Sequence, residues 1–268
     1  MSVSETYSHG HSESVLRSHR WRTAANSAAY LLPHLRPSHR LLDVGAGAGT
    51  ITVDLAARLH RGSVVALDDA EAAVTATAEL AVQRGLTNLT VLQGSAYDLG
   101  PAGSGFDVVH AHQVLQHLAD PVRALRAMAA ACAPGGLVAV RDADYAAMTW
   151  FPESPELCRW LELYQAVARA NGGEPDAGRR LRSWALAAGL HDVQSSASAW
   201  CFATPTDLGW WTETWADRLT SSAFGRQGIA LGLSDAEELA ALAAAWRAWG
   251  RQPDAWFSIL HAEVLARP

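Results

Sequence analysis

The sequence predicts an α/β fold, a mostly parallel sheet covered by helices on both faces. Three observations carry that expectation. Short apolar runs of strand length alternate with helix-period segments between residues 40 and 144. The first of those runs enters a glycine turn that opens a helix. The composition, 49% hydrophobic and 18% charged over 268 residues, supplies a sizeable core and is far from a disordered one.

In chain order, the polar opening lacks the apolar h-region of a signal peptide. An arginine-rich stretch from Leu16 to Arg40 follows. Within it Ala24, Ala28 and Leu31 recur at helical spacing, and Pro33 ends that helix. Leu41–Val44 is the first strand, and Ile51, Leu55 and Leu59 mark the helix after it. Val64–Leu67 is a second strand, followed by an alanine-rich helix closed by Gly85. Leu89–Leu92 and Phe106–Ala111 are the third and fourth strands. Asp120 and Pro121 start a helix as N-cap and first residue, with Val122, Leu125, Ala129 and Cys132 on one face. Pro134-Gly135-Gly136 stops it before a fifth strand at Leu137–Val140. Beyond residue 150 the pattern turns helical, about Ser154–Ala170, Gly178–Ala188 and Asp235–Trp249, with strands near Val193–Phe202 and Phe257–Leu265. The tryptophans concentrate in this half, which reads as completing the sheet and roofing a pocket.

Composition removes several functions. All 21 basic residues are arginine, so no lysine exists for a phosphate loop, a kinase site or a Schiff base. The net charge of −6 argues against nucleic acid as partner. No apolar run approaches a membrane span. Cys132, Cys158 and Cys201 have neither zinc spacing nor the even count of a disulfide framework. The expectation is a cytoplasmic protein without metal, with room for a homodimer.

The strongest motif is Leu41-Leu42-Asp43-Val44-Gly45-Ala46-Gly47-Ala48-Gly49-Thr50, a strand, a glycine turn and a helix start with backbone N–H groups free for a ligand. A dinucleotide fingerprint wants glycines at offsets 0, 2 and 5; here position 50 is threonine. Asp43 precedes the first glycine by two, and the next strand ends in Asp68, placed to accept ribose hydroxyls.

This constellation resembles class I S-adenosylmethionine-dependent methyltransferases, nearest their ubiquinone/menaquinone-type small-molecule branch. Gly94-Ser95-Ala96-Tyr97-Asp98-Leu99 is similar to the family's adenine-contacting segment, with Ser95 where relatives often carry an acid. Phe106–Val109 with Gln113–Leu118 is similar to its fourth strand and loop. The resemblance implies a Rossmann-like, mostly parallel seven-stranded sheet, with an N-terminal helical lid over 1–39 and a methyltransferase domain over 40–268. Residues 40–144 form the cofactor core, and 145–268 a tryptophan-rich cap inserted among the last strands. It implies S-adenosylmethionine as cofactor and S-adenosylhomocysteine as product. The cofactor would meet Asp43, Gly45, Ala46 and Gly47, then Asp68 and Asp69, then Ser95, Ala96, Ala111 and His112. Tyr7 and Arg22 would come from the lid, the guanidinium pairing the methionine carboxylate.

Each residue also has a plainer reading. Asp43 could brace the glycine loop, Asp98 could cap a turn, and Asp107 reads as structural. His110 and His112 share a strand face without a third metal ligand. Gln113 and His117 lie past the strand's carboxyl end, where open sheets bind ligands. Asp142 and Asp144 share a face beside the same crevice, with an arginine salt bridge as the alternative role. Of Trp200, Trp210, Trp211 and Trp215, some are expected to face a pocket, because Trp210 and Trp211 cannot share one core from a helix. The expected reaction is methyl transfer to oxygen, carbon or nitrogen of a small apolar or aromatic molecule. Its candidate catalytic residues are His117, Asp142 and Tyr145, with Gln113, Trp210 and Trp211 holding the acceptor. A cyclisation or rearrangement on the same scaffold, a nicotinamide oxidoreductase and a non-enzymatic binding module are the alternatives.

Overall fold

The computed structural model describes residues 21–268. Tyr7 and the first half of the expected lid lie outside them. Eight strands form one sheet: β1 (Arg40–Val44), β2 (Ser63–Asp68), β3 (Leu89–Gln93), β4 (Phe106–His112), β5 (Cys132–Ala143), β6 (Thr149–Phe151), β7 (His191–Phe202) and β8 (Trp256–Arg267). β3-β2-β1-β4-β5 run parallel in that spatial order. β8 lies antiparallel between β5 and β7, and its first residues also pair with β6. The three-residue β6 is the strand that the expected seven leave out. It is too short to show a period.

The helices are α1 (Ala24–Ser27), α2 (Thr50–Arg58), α3 (Glu71–Gln83), α4 (Pro121–Ala131), α5 (Pro155–Ala170), α6 (Leu181–Ala187), α7 (Pro205–Ser221), α8 (Ala223–Ala230) and α9 (Ala236–Trp249). On one sheet face Leu31, Ile51 and Leu55 pack against Leu41, Val108 and Ala139. On the other, Leu125, Met128 and Leu181 pack against Leu42, Val109 and Val138. The inner strands are buried on both sides, so they read as continuous apolar runs rather than alternating ones.

The helix expected to run to Pro33 is one turn long in the described residues. Thr23 and Asn26 form a capping box, and Ala28 leaves the helical region at φ −134°. Asn26 and Ser27 hydrogen-bond to each other and to nearby backbone, which competes with continued helix. Ala24, Ala28 and Leu31 are buried even so. At α4 the Asp120 side chain accepts from Arg123 N at 2.9 Å, the cap expected from sequence. Asp120→Ala is therefore expected to cost about 0.5–2 kcal/mol in denaturant unfolding.

α7 and α8 lie outside the three helix spans expected beyond residue 150, although Trp210 and Trp211 were expected on a helix, Thr204 and Pro205 carry a start signal and Asp207 N donates to the Thr204 hydroxyl. The β-branched and aromatic residues that follow have weak helix propensity, and packing overrides it. These helices join α5 and α9 around a third core. Trp160 is its centre, edge-to-face with Trp215 at 4.4 Å and with Trp246 at 4.7 Å, and all three are fully buried. This corrects the expectation that Trp210 and Trp211 must part. Trp211 stacks on Phe202 at 4.4 Å inside this core, and half-buried Trp210 reaches the same Phe202 at 5.7 Å. A ring as wide as indole spans the angle between adjacent helix positions. Trp215 and Trp211 are thus core residues, and the tryptophans mainly build the cap. No helix among the described residues is long and apolar enough to cross a membrane.

Candidate active site

The glycine turn is built at the carboxyl ends of β1 and β2. Gly45 N and Ala46 N both donate to Leu67 O, at 2.7 and 3.2 Å, and Gly45, Gly47 and Gly49 all have positive φ. Gly47 N donates to Asp68 Oδ2 at 2.8 Å, and Ala70 N donates to Oδ1 at 3.0 Å. Burial raises the Asp68 pKa against the lowering effect of these two bonds. A carboxylate has about four lone-pair sites. Two are used here, and the remainder suit a vicinal diol at the end of β2.

Asp43 faces inward. Thr52 donates to its Oδ2 at 2.6 Å, and His110 Nδ1 lies 2.7 Å from its Oδ1. The carboxylate thus ties β1 to the first turn of α2 and to β4, and braces the loop from below. Ala111 is buried in the core, so its backbone alone could meet a cofactor. Asp69 is exposed, and its carbonyl accepts from Gln93. Exposed Ser95 accepts from Tyr97 N, with half-buried Ala96 beside it, while Asp98 accepts from Gly100 N and Asp107 from Arg40 N.

The other half of the site lies past β4 and β5. Gln113 adopts φ +54°, a left-handed conformation uncommon outside glycine and frequent at functional sites. Its amide Nε2 lies 2.7 Å from His261 Nε2, while His261 Nδ1 lies 3.2 Å from Ile259 O. A carbonyl can only accept, so His261 Nδ1 carries the proton and Nε2 accepts from Gln113.

Asp142 is fully buried. Its Oδ1 accepts from Gln116 N at 3.2 Å, and its Oδ2 has no hydrogen-bond partner. Burial pushes its carboxyl up to about 7 despite backbone bonds and the charges of Arg141 and Arg22. His117 moves the other way. Burial, with the charges of Arg22 and Arg218, pushes its imidazole down to about 3, so it is neutral and weakly basic. Burial also raises the Tyr145 phenol, whose ring stacks on Tyr164 at 4.2 Å. Asp144 parts from Asp142: its carboxylate binds Arg179 through three bonds of 2.6–3.1 Å and is structural. The structure therefore brings Arg22, Gln113, His117, Asp142 and Tyr145 together around the carboxyl ends of β4 and β5.

Sequence reasoning missed Arg141, Arg218, His261 and Tyr30. Arg141 was visible beside Asp142. Arg218 is buried on α7, outside the expected helix spans, its guanidinium 4.7 Å over Trp215. His261 reaches the site only because β8 runs antiparallel beside β5.

A mostly parallel sheet with a glycine loop at the end of β1 and an acid at the end of β2 fits a class I S-adenosylmethionine-dependent enzyme. Residues 35–211 match the model of a methyltransferase-domain family, and the chain belongs to that family. It is similar to an uncharacterized methyltransferase of Schizosaccharomyces pombe, at 32% identity over 97% of this chain and 95% of that one. A ubiquinone biosynthesis O-methyltransferase of Caulobacter matches at 39% identity over 38% of this chain and 39% of its own. Among solved structures, the YcgJ protein of Bacillus shares the fold with a TM-score of 0.59, at 18% identity, covering 90% of this chain and 96% of that one. The protein is an S-adenosylmethionine-dependent methyltransferase.

Proposed function

We propose that this enzyme methylates oxygen, carbon or nitrogen of a small, largely apolar or aromatic acceptor, held between the carboxyl ends of β4 and β5 and the tryptophan-rich cap. The observation that carries the reading is Asp142, a fully buried carboxyl whose Oδ1 accepts from Gln116 N while its Oδ2 makes no hydrogen bond; burial pushes it up to about 7. A group with that pKa is half-ionised near neutrality and can take a proton from the acceptor. Bound S-adenosylmethionine supplies a methyl group already activated by a sulfonium.

The chain's own residues hold and orient. Asp68 accepts from the ribose, the glycine turn allows close approach, and the Arg22 guanidinium, which lies over Trp200, would pair the methionine carboxylate. Asp43 acts through the loop it braces. Gln113 and half-buried Trp210 line the acceptor side, where the cap excludes water. His117 accepts a hydrogen bond rather than a proton. Trp211 acts through packing beneath Trp210.

Asp68→Ala removes the ribose acceptor and is expected to weaken S-adenosylhomocysteine binding by about 1.5–3 kcal/mol in calorimetry. Unchanged affinity would overturn that assignment. The reaction itself is tested by incubation with methyl-labelled S-adenosylmethionine and a panel of phenols, acids and amines. Product mass gains one methyl; a rearranged product without that gain would favour cyclisation instead.

A further inference from the structure

We propose that Arg141, His112 and Tyr30 form a recognition subsite for a carboxylate-class oxyanion carried by the acceptor. The proposal rests on the methyl-transfer reading and adds to it the chemical class of the substrate.

Arg141 is 1% exposed, and one edge of its guanidinium is occupied. Nε donates to Glu263 and Ser198 at 3.3 Å each, and Nη2 donates to Ser198 at 3.1 Å. Glu263 is itself engaged, accepting also from Ser196 at 2.7 Å and Ser198 at 2.5 Å. The Arg141 Nη1 nitrogen makes no hydrogen bond. Nor does the buried Tyr30 hydroxyl or either nitrogen of His112, which is 6% exposed. His112 is the register partner of Arg141 across β4 and β5. Tyr30 packs against the core that includes Val108 and Ala139 of the same two strands, and the Arg141 charge acts on both His112 and Tyr30. Buried donors without acceptors are costly, most of all when charged.

The complementary ligand group is an acceptor of hydrogen bonds with negative charge. A cationic group is disfavoured, because Arg141 and Arg22 together already add to the lowering by burial of the pKa values of His112 and His261. A carboxylate or an acidic enol presents the right oxygens to a guanidinium. Position assigns this oxyanion to the acceptor rather than the cofactor. Arg141 sits on β5, with β4 between it and the β1 glycine turn. At roughly 4.8 Å per strand this is about 10 Å to the side of the loop. There Trp200 of β7 forms an aromatic wall, its ring 5.1 Å from the Arg141 guanidinium.

Calorimetry on the S-adenosylhomocysteine-loaded protein, with 2-naphthoate and its neutral isostere 2-naphthamide as probes, tests this. The acid is expected to bind at least tenfold tighter. Arg141→Met paired with Glu263→Gln, which leaves no lone buried charge, should abolish that preference. Tyr30→Phe, which removes only a hydroxyl, should reduce it several-fold. Equal affinities, binding of neither probe, or a preference that survives the paired variant in a protein that still melts cooperatively would overturn the proposal. So would a tenfold loss of S-adenosylhomocysteine affinity in the paired variant with methylthioadenosine binding intact, since the oxyanion would then be the cofactor's carboxylate. Failure of the wild type to bind S-adenosylhomocysteine would instead fault the Asp68 reading. The naphthoate preference is then measured on the unloaded protein.

Discussion

Asp142→Asn is expected to lower turnover by about 10²–10⁴-fold at slightly alkaline pH and, in the same protein, to raise thermal stability. Both effects come from one burial. The folded-state pKa of Asp142, about 7, stands above its ordinary value of 3.8. The native state therefore binds the proton more tightly than the unfolded chain between these two values, and stability falls as pH rises through that window. Each unit of separation is worth about 1.4 kcal/mol, so the ionised side chain costs a few kcal/mol above pH 7. Asparagine copies the neutral acid, and its Oδ1 can still accept from Gln116 N. The stability gain should thus be absent near pH 4, grow toward pH 7 and level off beyond it. Wild-type turnover should rise through about pH 7 as the carboxyl loses its proton, and the variant should lack that rise. Melting curves and pH–rate profiles of the two proteins check both halves. A variant no more stable at pH 8 than at pH 4, relative to wild type, would refute the buried-charge account. His117→Ala provides the contrast. An imidazole pushed down to about 3 is neutral throughout this range, so its loss should leave the shape of the pH profile unchanged.

The cofactor half of the molecule was legible because its signals are local. Gly45, Gly47 and Gly49 need positive φ, and Asp68 ends a strand of recognisable length; both facts are written within a few residues of sequence. The bracing reading of Asp43 was open in the sequence, and the bonds to Thr52 and His110 support it, because strand pairing puts His110 in register with Asp43. The acceptor half was less legible because it is assembled from distant segments. Asp142 and Asp144 look alike on paper, two residues apart and both acidic. One meets Arg179 in a direct ion pair from the turn before α6, and the other meets backbone N–H groups in low-dielectric surroundings, with Arg141 and Arg22 acting on it only as nearby charges. No spacing rule separates them. The tryptophans misled for a related reason: an aromatic-rich segment can line a pocket or fill a core, and that depends on α5, α7 and α9 converging on Trp160.

Gly45→Ala is expected to lower stability by roughly 2–5 kcal/mol and to reduce S-adenosylhomocysteine affinity with it. Two causes act together at this position. At φ +73° an L-residue is strained by about 1–2 kcal/mol. An added Cβ would also lie 2.4 Å from Val114 Cγ2, far inside contact distance, which adds about 1–3 kcal/mol of overpacking. Val114 leads into the turn of Leu115–His117 and follows the left-handed Gln113. Pushing it aside disturbs both the glycine turn and the loop that positions Gln113, Gln116 and His117. The two causes can be separated. In Gly45→Ala with Val114→Ala the clash is gone while the backbone strain remains. The double variant should therefore be more stable than the sum of the single effects predicts, by a coupling of about 1–3 kcal/mol. Denaturant unfolding of the four proteins in the cycle measures that coupling directly. A coupling near zero would mean that Val114 does not hold the loop, and that backbone strain alone makes glycine necessary at this turn.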